Sequence, residues 1–126
     1  MNAVLVDSDI LIEVARGRDQ DLLGRWQGLV LSEAIAAVSP VSVAELWHGA
    51  RTGEHSGLRD LFVATICLSI DAAIAERAGD FLRTFHKSHG LELGDALIGA
   101  AAAVYELPLW TRNRRHYPMP DLAFFG

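Results

Sequence analysis

The sequence is poor in residues that would mark several common classes of protein. It holds one cysteine, Cys67, so no intramolecular disulfide can form. Cys67 sits in the apolar run Ile66-Cys67-Leu68, which predicts a buried structural thiol rather than a nucleophile. There is one lysine, Lys87, so ten of the eleven basic residues are arginine. No apolar run reaches the ~18–20 residues of a membrane span. No basic stretch precedes the first apolar run, so no signal peptide is read there and the chain reads as cytoplasmic. Long repeats and low-complexity segments are also missing.

What is present is the material of a folded globular protein. At 126 residues the chain reads as a single domain, residues 1–126. Half of it is hydrophobic, which excludes disorder. A net charge of -5 argues against a broad nucleic-acid-binding surface. One basic cluster qualifies this, Thr111-Arg112-Asn113-Arg114-Arg115-His116. Arginine suits bidentate phosphate contacts, and a divalent cation lets an acidic protein hold a phosphodiester.

Hydrophobic patterning gives alternating strands and helices. Ala3 to Val6 is continuously apolar, as in a strand buried on both faces. Helices are predicted at 8–16, 20–34, 42–50, 58–64, 72–89 and 96–105. Asp19 and Asp71 are placed as caps, and Gly90 as a stop. Further strands are predicted at 36–39, 66–70, 107–110 and 122–125. This alternation implies an α/β fold with a mostly parallel sheet covered by helices on both faces.

Such folds bind ligands at the carboxyl ends of their strands, and acids fall there. Asp7 follows the first strand. Glu45 lies in the first turn of the helix after Pro40, and Asp95 opens the helix after Gly94. Asn113 follows the strand 107–110. Acids gathered in one crevice repel one another, and a hard cation such as Mg²⁺ or Mn²⁺ relieves that repulsion. Each residue also has a structural explanation. Asp7, Ser8 or Asp9 could cap a helix. Ser42-Val43-Ala44-Glu45 fits a capping box, Asp95 could be an N-cap, and Asn113 could be a turn residue.

Taken together and in order, four motifs resemble the PIN domain, and more narrowly the VapC-type toxin ribonucleases of bacterial toxin–antitoxin modules. They are Val6-Asp7-Ser8-Asp9-Ile10-Leu11-Ile12, Val41-Ser42-Val43-Ala44-Glu45-Leu46, Leu93-Gly94-Asp95-Ala96-Leu97-Ile98-Gly99 and Leu109-Trp110-Thr111-Arg112-Asn113. The resemblance implies a three-layer α/β/α sandwich and an endoribonuclease dependent on Mg²⁺ or Mn²⁺. It matches Asp7, Glu45 and Asp95 to the family's acidic triad, and Asn113 to a fourth position where many relatives carry Asp. Asp7 and Asp95 are expected to hold the metal, Glu45 to orient the attacking water, and Asn113 to bond a water or a substrate oxygen. Ser8, Asp9 and Thr111 are expected to support the site, and Arg112, Arg114 and Arg115 to contact RNA phosphates. A cognate VapB-type antitoxin and a homodimer are implied by the resemblance alone, as is an RNA substrate cut in single-stranded loops of transfer or ribosomal RNA.

Two rival functions are weighed. Asp7-Ser8-Asp9 after a strand fits the opening of a haloacid-dehalogenase-like phosphatase, but Leu11 and the helical setting of Lys87 do not. The same fold with a degenerate site would be a binding module, which the intact acidic set argues against. His86, His89 and Glu92 are set aside as a helix end. Trp26, Trp47 and Trp110 are read as core or interface, with Trp47 and Leu46 also considered for partner contact. Tyr117-Pro118-Met119-Pro120 is read as an extended connection.

Overall fold

In a computed structural model, residues 2–126 are described. Four parallel strands form the sheet: β1 (Ala3–Val6), β2 (Ile35–Val38), β3 (Ile66–Cys67) and β4 (Leu109–Trp110), in the order β3-β2-β1-β4. Among the described residues six α-helices surround it: α1 (Ser8–Arg16), α2 (Gln20–Leu31), α3 (Pro40–Gly49), α4 (His55–Val63), α5 (Ala72–His89) and α6 (Leu93–Tyr105). Among the described residues no helix is long and apolar enough to cross a membrane.

The layering follows from strand periodicity. Neighbouring residues of a strand point to opposite faces. Ala3 and Leu5 join a core built against α5 and α6, with Ile74, Ala78, Phe81, Ile98 and Ala101. Val4 and Val6 join a second core with Ile10, Leu11, Leu22, Trp26, Leu46 and Leu58, drawn from α1 to α4. The sheet is thus sandwiched between two helical layers, the three-layer α/β/α arrangement expected from the sequence. Because β1 is central and buried on both sides, the chain leaving it at Asp7 emerges in the middle of the carboxyl edge.

Several boundaries differ from the sequence-based expectation. The helix expected at Ser42 begins at Pro40, and its cap is Ser39, whose side chain accepts from Val41 N–H at 3.0 Å. Proline is pre-shaped for the first helical position and has no N–H to lose there. Ser42 and Glu45 therefore form no capping box. Similarly, Asp95 is the third residue of α6 and does not cap it. The strand expected over 66–70 shrinks to Ile66 and Cys67, both exposed. They lie on the edge strand, so Cys67 is not a buried thiol. The strand expected at 122–125 is reduced to one bridge between Phe124 and Leu109.

Candidate active site

The site is built at the carboxyl ends of β1 and β2, the start of α6 and the loop after β4. Asp7 is the N-cap of α1: its Oδ1 accepts from Ser8 N–H at 2.7 Å. Capping uses only one oxygen. The other, Oδ2, accepts from the Thr111 hydroxyl and from the Tyr117 phenol, each at 2.9 Å. Capping thus leaves the second oxygen of Asp7 to the neighbouring hydroxyls. Asp7 is only 6% exposed. Burial, with the charge of Asp9 nearby, pushes its carboxyl up to about 6 despite three donors that favour the anion.

Asp95 faces Asp7 from α6. The Tyr117 phenol reaches its Oδ1 at 3.3 Å, and His116 Nδ1 lies 3.8 Å from its Oδ2. Its acidity is also weakened, first by burial, with His116 and Tyr117 acting in the opposite direction. Between the two acids the phenol is buried. Burial and the adjacent Asp7 and Asp95 charges drive its ionisation far upward, so Tyr117 serves as a neutral hydrogen-bond donor.

Glu45 reaches the site by another route. Ser42 and Glu45 are three apart on α3 and share a face. Ser8 Oγ lies 2.8 Å from Ser42 Oγ and 2.9 Å from Glu45 Oε1. A carboxylate can only accept, and a serine hydroxyl has one proton. Ser8 therefore donates to Glu45, and the Ser42 hydroxyl supplies the proton of the other pair. Ser42 is fully buried, which fixes this relay between α1 and α3.

Asp9 and Asn113 form a neighbouring pair. Asp9 Oδ2 accepts from Asn113 Nδ2 at 3.0 Å and from Arg112 N–H at 2.9 Å, while its Oδ1 accepts from Ile10 N–H. Thr111 joins the two groups, its Oγ1 also accepting from Asn113 N–H at 3.0 Å. Asn113 is thus turned toward Asp9 rather than toward Asp7 and Asp95. Two of the three expected phosphate-binding arginines are already engaged. Arg112 lies 3.7 Å from Asp19. Arg114 donates to the Gly126 and Phe125 carbonyls and stacks on Phe124. Arg115 is exposed.

Among the described residues, no three His, Cys, Asp or Glu side chains form a ready-made metal cage. The donor chemistry nevertheless fits a hard divalent cation. Asp7, Glu45 and Asp95 offer only oxygen, and no Lys or Arg forms an ion pair with any of them among the described residues. Mg²⁺ typically takes one or two carboxylates and keeps several waters, which suits two acids facing each other better than a closed cage.

Tyr117 was not found from sequence, where it belongs to an apparent connecting segment. The one available signal is an aromatic with a polar tip next to an Arg/His cluster. Ser42 was seen only as a cap.

The fold and this acidic edge define a class, and the PIN domain family matches residues 4–122. The chain belongs to the PIN-domain family. It is 40% identical to "Ribonuclease VapC10" of Mycobacterium tuberculosis over 121 residues, 92% of this chain and 86% of that protein. It is 34% identical to "Ribonuclease VapC19" of the same organism over 120 residues, 94% and 95% of the two chains. The same fold is found in VapBC2 from Rickettsia felis, a structure bound to a promoter DNA fragment. That match has a TM-score of 0.83 at 19% identity and covers 98% of this chain and 97% of that one.

Proposed function

We propose that this chain is a divalent-metal-dependent endoribonuclease, the toxin of a toxin–antitoxin pair, acting in the cytoplasm on single-stranded loops of structured RNA such as transfer or ribosomal RNA. The observation carrying this reading is the pair Asp7 and Asp95: two buried or half-buried acids of weakened acidity, facing each other with no ion-paired arginine or lysine, in a PIN chain similar to proteins named ribonucleases. Asp7 and Asp95 would hold Mg²⁺ or Mn²⁺. When bound, the cation supplies an activated water nucleophile and stabilises charge developing on the phosphoryl group.

This chain's own residues do the rest. Thr111 and Tyr117 orient Asp7 through Oδ2, and the N-terminus of α1 fixes Oδ1. Ser8 holds Glu45 beside the acids, where its carboxylate can accept a proton from the attacking water. Asn113 and the Arg112 amide hold Asp9, which keeps the loop after β4 against the site. Arg115 is the freest phosphate contact, and Arg112 and Arg114 would have to leave their partners to join it. No Ser or Cys nucleophile is required. The phosphatase reading finds no support: Asp9, its acid/base, is tied down by two donors from the loop after β4, the Arg112 N–H and the Asn113 amide.

A VapB-type antitoxin is the expected partner, supported by the likeness to toxin–antitoxin assemblies, and a homodimer is the expected form. The test is RNA cleavage by purified protein with Mg²⁺ or Mn²⁺, with chelator, and with Asp95→Asn. Metal-dependent cleavage lost in the variant supports the proposal. Intact RNA under all conditions, with unchanged growth arrest by Asp95→Asn in cells, would give the binding-module reading instead.

A further inference from the structure

Among the described residues, Tyr117 is the only one bonded to both Asp7 and Asp95. Its placement is built from several directions. Its N–H donates to Arg114 O at 2.9 Å, closing the short 3₁₀ turn Arg114–His116. Its ring lies over Gly99 on α6, where an added Cβ would be 3.6 Å from Tyr117 Cδ1 and would collide with the Met119 methyl. Gly99 is four residues after Asp95 and so shares its helix face. The face that presents the acid thus also makes room for the ring that reaches it.

A phenylalanine would fill this space as well. Only the hydroxyl distinguishes the two side chains, and here it is desolvated among acids. A buried phenol needs a partner, and this one has two, which repel each other. Its single proton is shared in a three-centre bond, mainly with Asp7 Oδ2 at 2.9 Å and more weakly with Asp95 Oδ1 at 3.3 Å.

We propose that Tyr117 is a positioning residue, a strut that ties Asp7 Oδ2 to Asp95 Oδ1 and keeps both carboxylates facing one point for a divalent cation. This rests on the reading above that these two acids hold the metal. Partners that orient metal ligands typically change affinity by about 10–100-fold when removed. Without the phenol, Asp7 keeps Ser8 N–H and Thr111, but the Asp95 carboxylate loses its hydrogen-bond donor and is free to turn away, so the entering cation must gather it.

The test is Mn²⁺ binding by calorimetry to wild type, Tyr117→Phe, Asp95→Asn and Tyr105→Phe. Tyr105 bonds Ser69 O and does not touch the acids, so its variant is the control. Alongside it, wild type labelled at tyrosine Cζ is titrated with Mg²⁺ by NMR. The chain has two tyrosines, and the Tyr105 resonance is the internal reference, so this readout does not depend on any variant folding. Tyr117→Phe is expected to bind Mn²⁺ at least ten-fold more weakly, Tyr105→Phe like wild type, and the Tyr117 resonance to move with Mg²⁺. An affinity less than ten-fold weaker, or a stationary Tyr117 resonance, overturns the strut. If Asp95→Asn still abolishes binding in that case, the metal reading survives without it. Absence of Mn²⁺ binding to wild type overturns both.

Discussion

Asp7 is held at a cost, and removing its charge should make the metal-free protein more stable. Its carboxyl titrates at about 6 in the fold against 3.8 for the free group. The native state therefore binds this proton more tightly than the unfolded chain does. The contribution to stability is fully present below pH 4 and is lost as pH rises through 6. At pH 7.5 the native state is disfavoured by about 3 kcal/mol through this one group, since each unit corresponds to 1.36 kcal/mol. The penalty falls to about half that at pH 5 and to under about 1 kcal/mol at pH 4. Asp7→Asn keeps the cap, because asparagine caps as well as aspartate and its Oδ1 can still accept from Ser8 N–H. Its amide nitrogen replaces Oδ2, and the Thr111 and Tyr117 hydroxyls can turn to accept from it. Urea unfolding in chelator at pH 7.5, 5 and 4 measures the difference. The expected gain is about 1–3 kcal/mol at pH 7.5, shrinking steadily toward pH 4. A variant no more stable than wild type at pH 7.5, or a gain independent of pH, would refute the assignment of burial as the cause of the raised Asp7 value.

The same proton competes with a cation. Mn²⁺ affinity should be flat above pH 7 and fall about five-fold from pH 6 to pH 5 through this one proton; calorimetry at three pH values measures it, and a constant affinity would count against Asp7 as a ligand. Asn113→Asp sets a carboxylate against Asp9 Oδ2, where an amide now donates at 3.0 Å. It should cost about 1–2 kcal/mol in chelator at neutral pH, read by urea unfolding. Glu106 closes α6 at φ 55, a left-handed conformation that glycine adopts freely. Glu106→Gly should therefore raise stability by about 0.5–1 kcal/mol, and a loss on unfolding would contradict the backbone geometry.

The layered fold was legible because its signals are local. Four apolar residues ending at an acid identified β1 and α1, and Asp19 and Asp71 cap α2 and α5 as expected, accepting from Leu22 N–H and Ile74 N–H. Where two local signals compete, the one that shapes the backbone prevails. Ser42 with Glu45 resembles a capping box, but Ser39 before Pro40 is the actual start of α3, because proline at the first position leaves no orphan N–H. The edge of the sheet was misjudged for another reason. Ile66, Cys67 and Leu68 are all apolar, yet only Leu68 is buried. Exposure on an edge strand depends on strand order, which apolarity does not encode.

The site divides along the same line. Asp7 and Asp95 stand out in the sequence as candidates because an acid at the end of an apolar element demands an explanation wherever it occurs. Tyr117 does not, because its role exists only across 110 residues to Asp7 and 22 to Asp95. Asn113 shows the limit from the other side. The family resemblance places it beside the acids, and the structure shows one of its amide N–H groups on Asp9, leaving its other N–H and its oxygen unassigned. That contact has a physical reading. A neutral amide can donate, so it can hold an aspartate that a fourth carboxylate would repel. The acids are consequently organised by donors threaded between them: Tyr117 between Asp7 and Asp95, Ser8 at Glu45, and Asn113 at Asp9. The charge at this edge is aimed chiefly by neutral groups, with His116 near Asp95 the one basic side chain beside the acids among the described residues, which leaves no lysine or arginine in the way of the cation that the proposed chemistry needs.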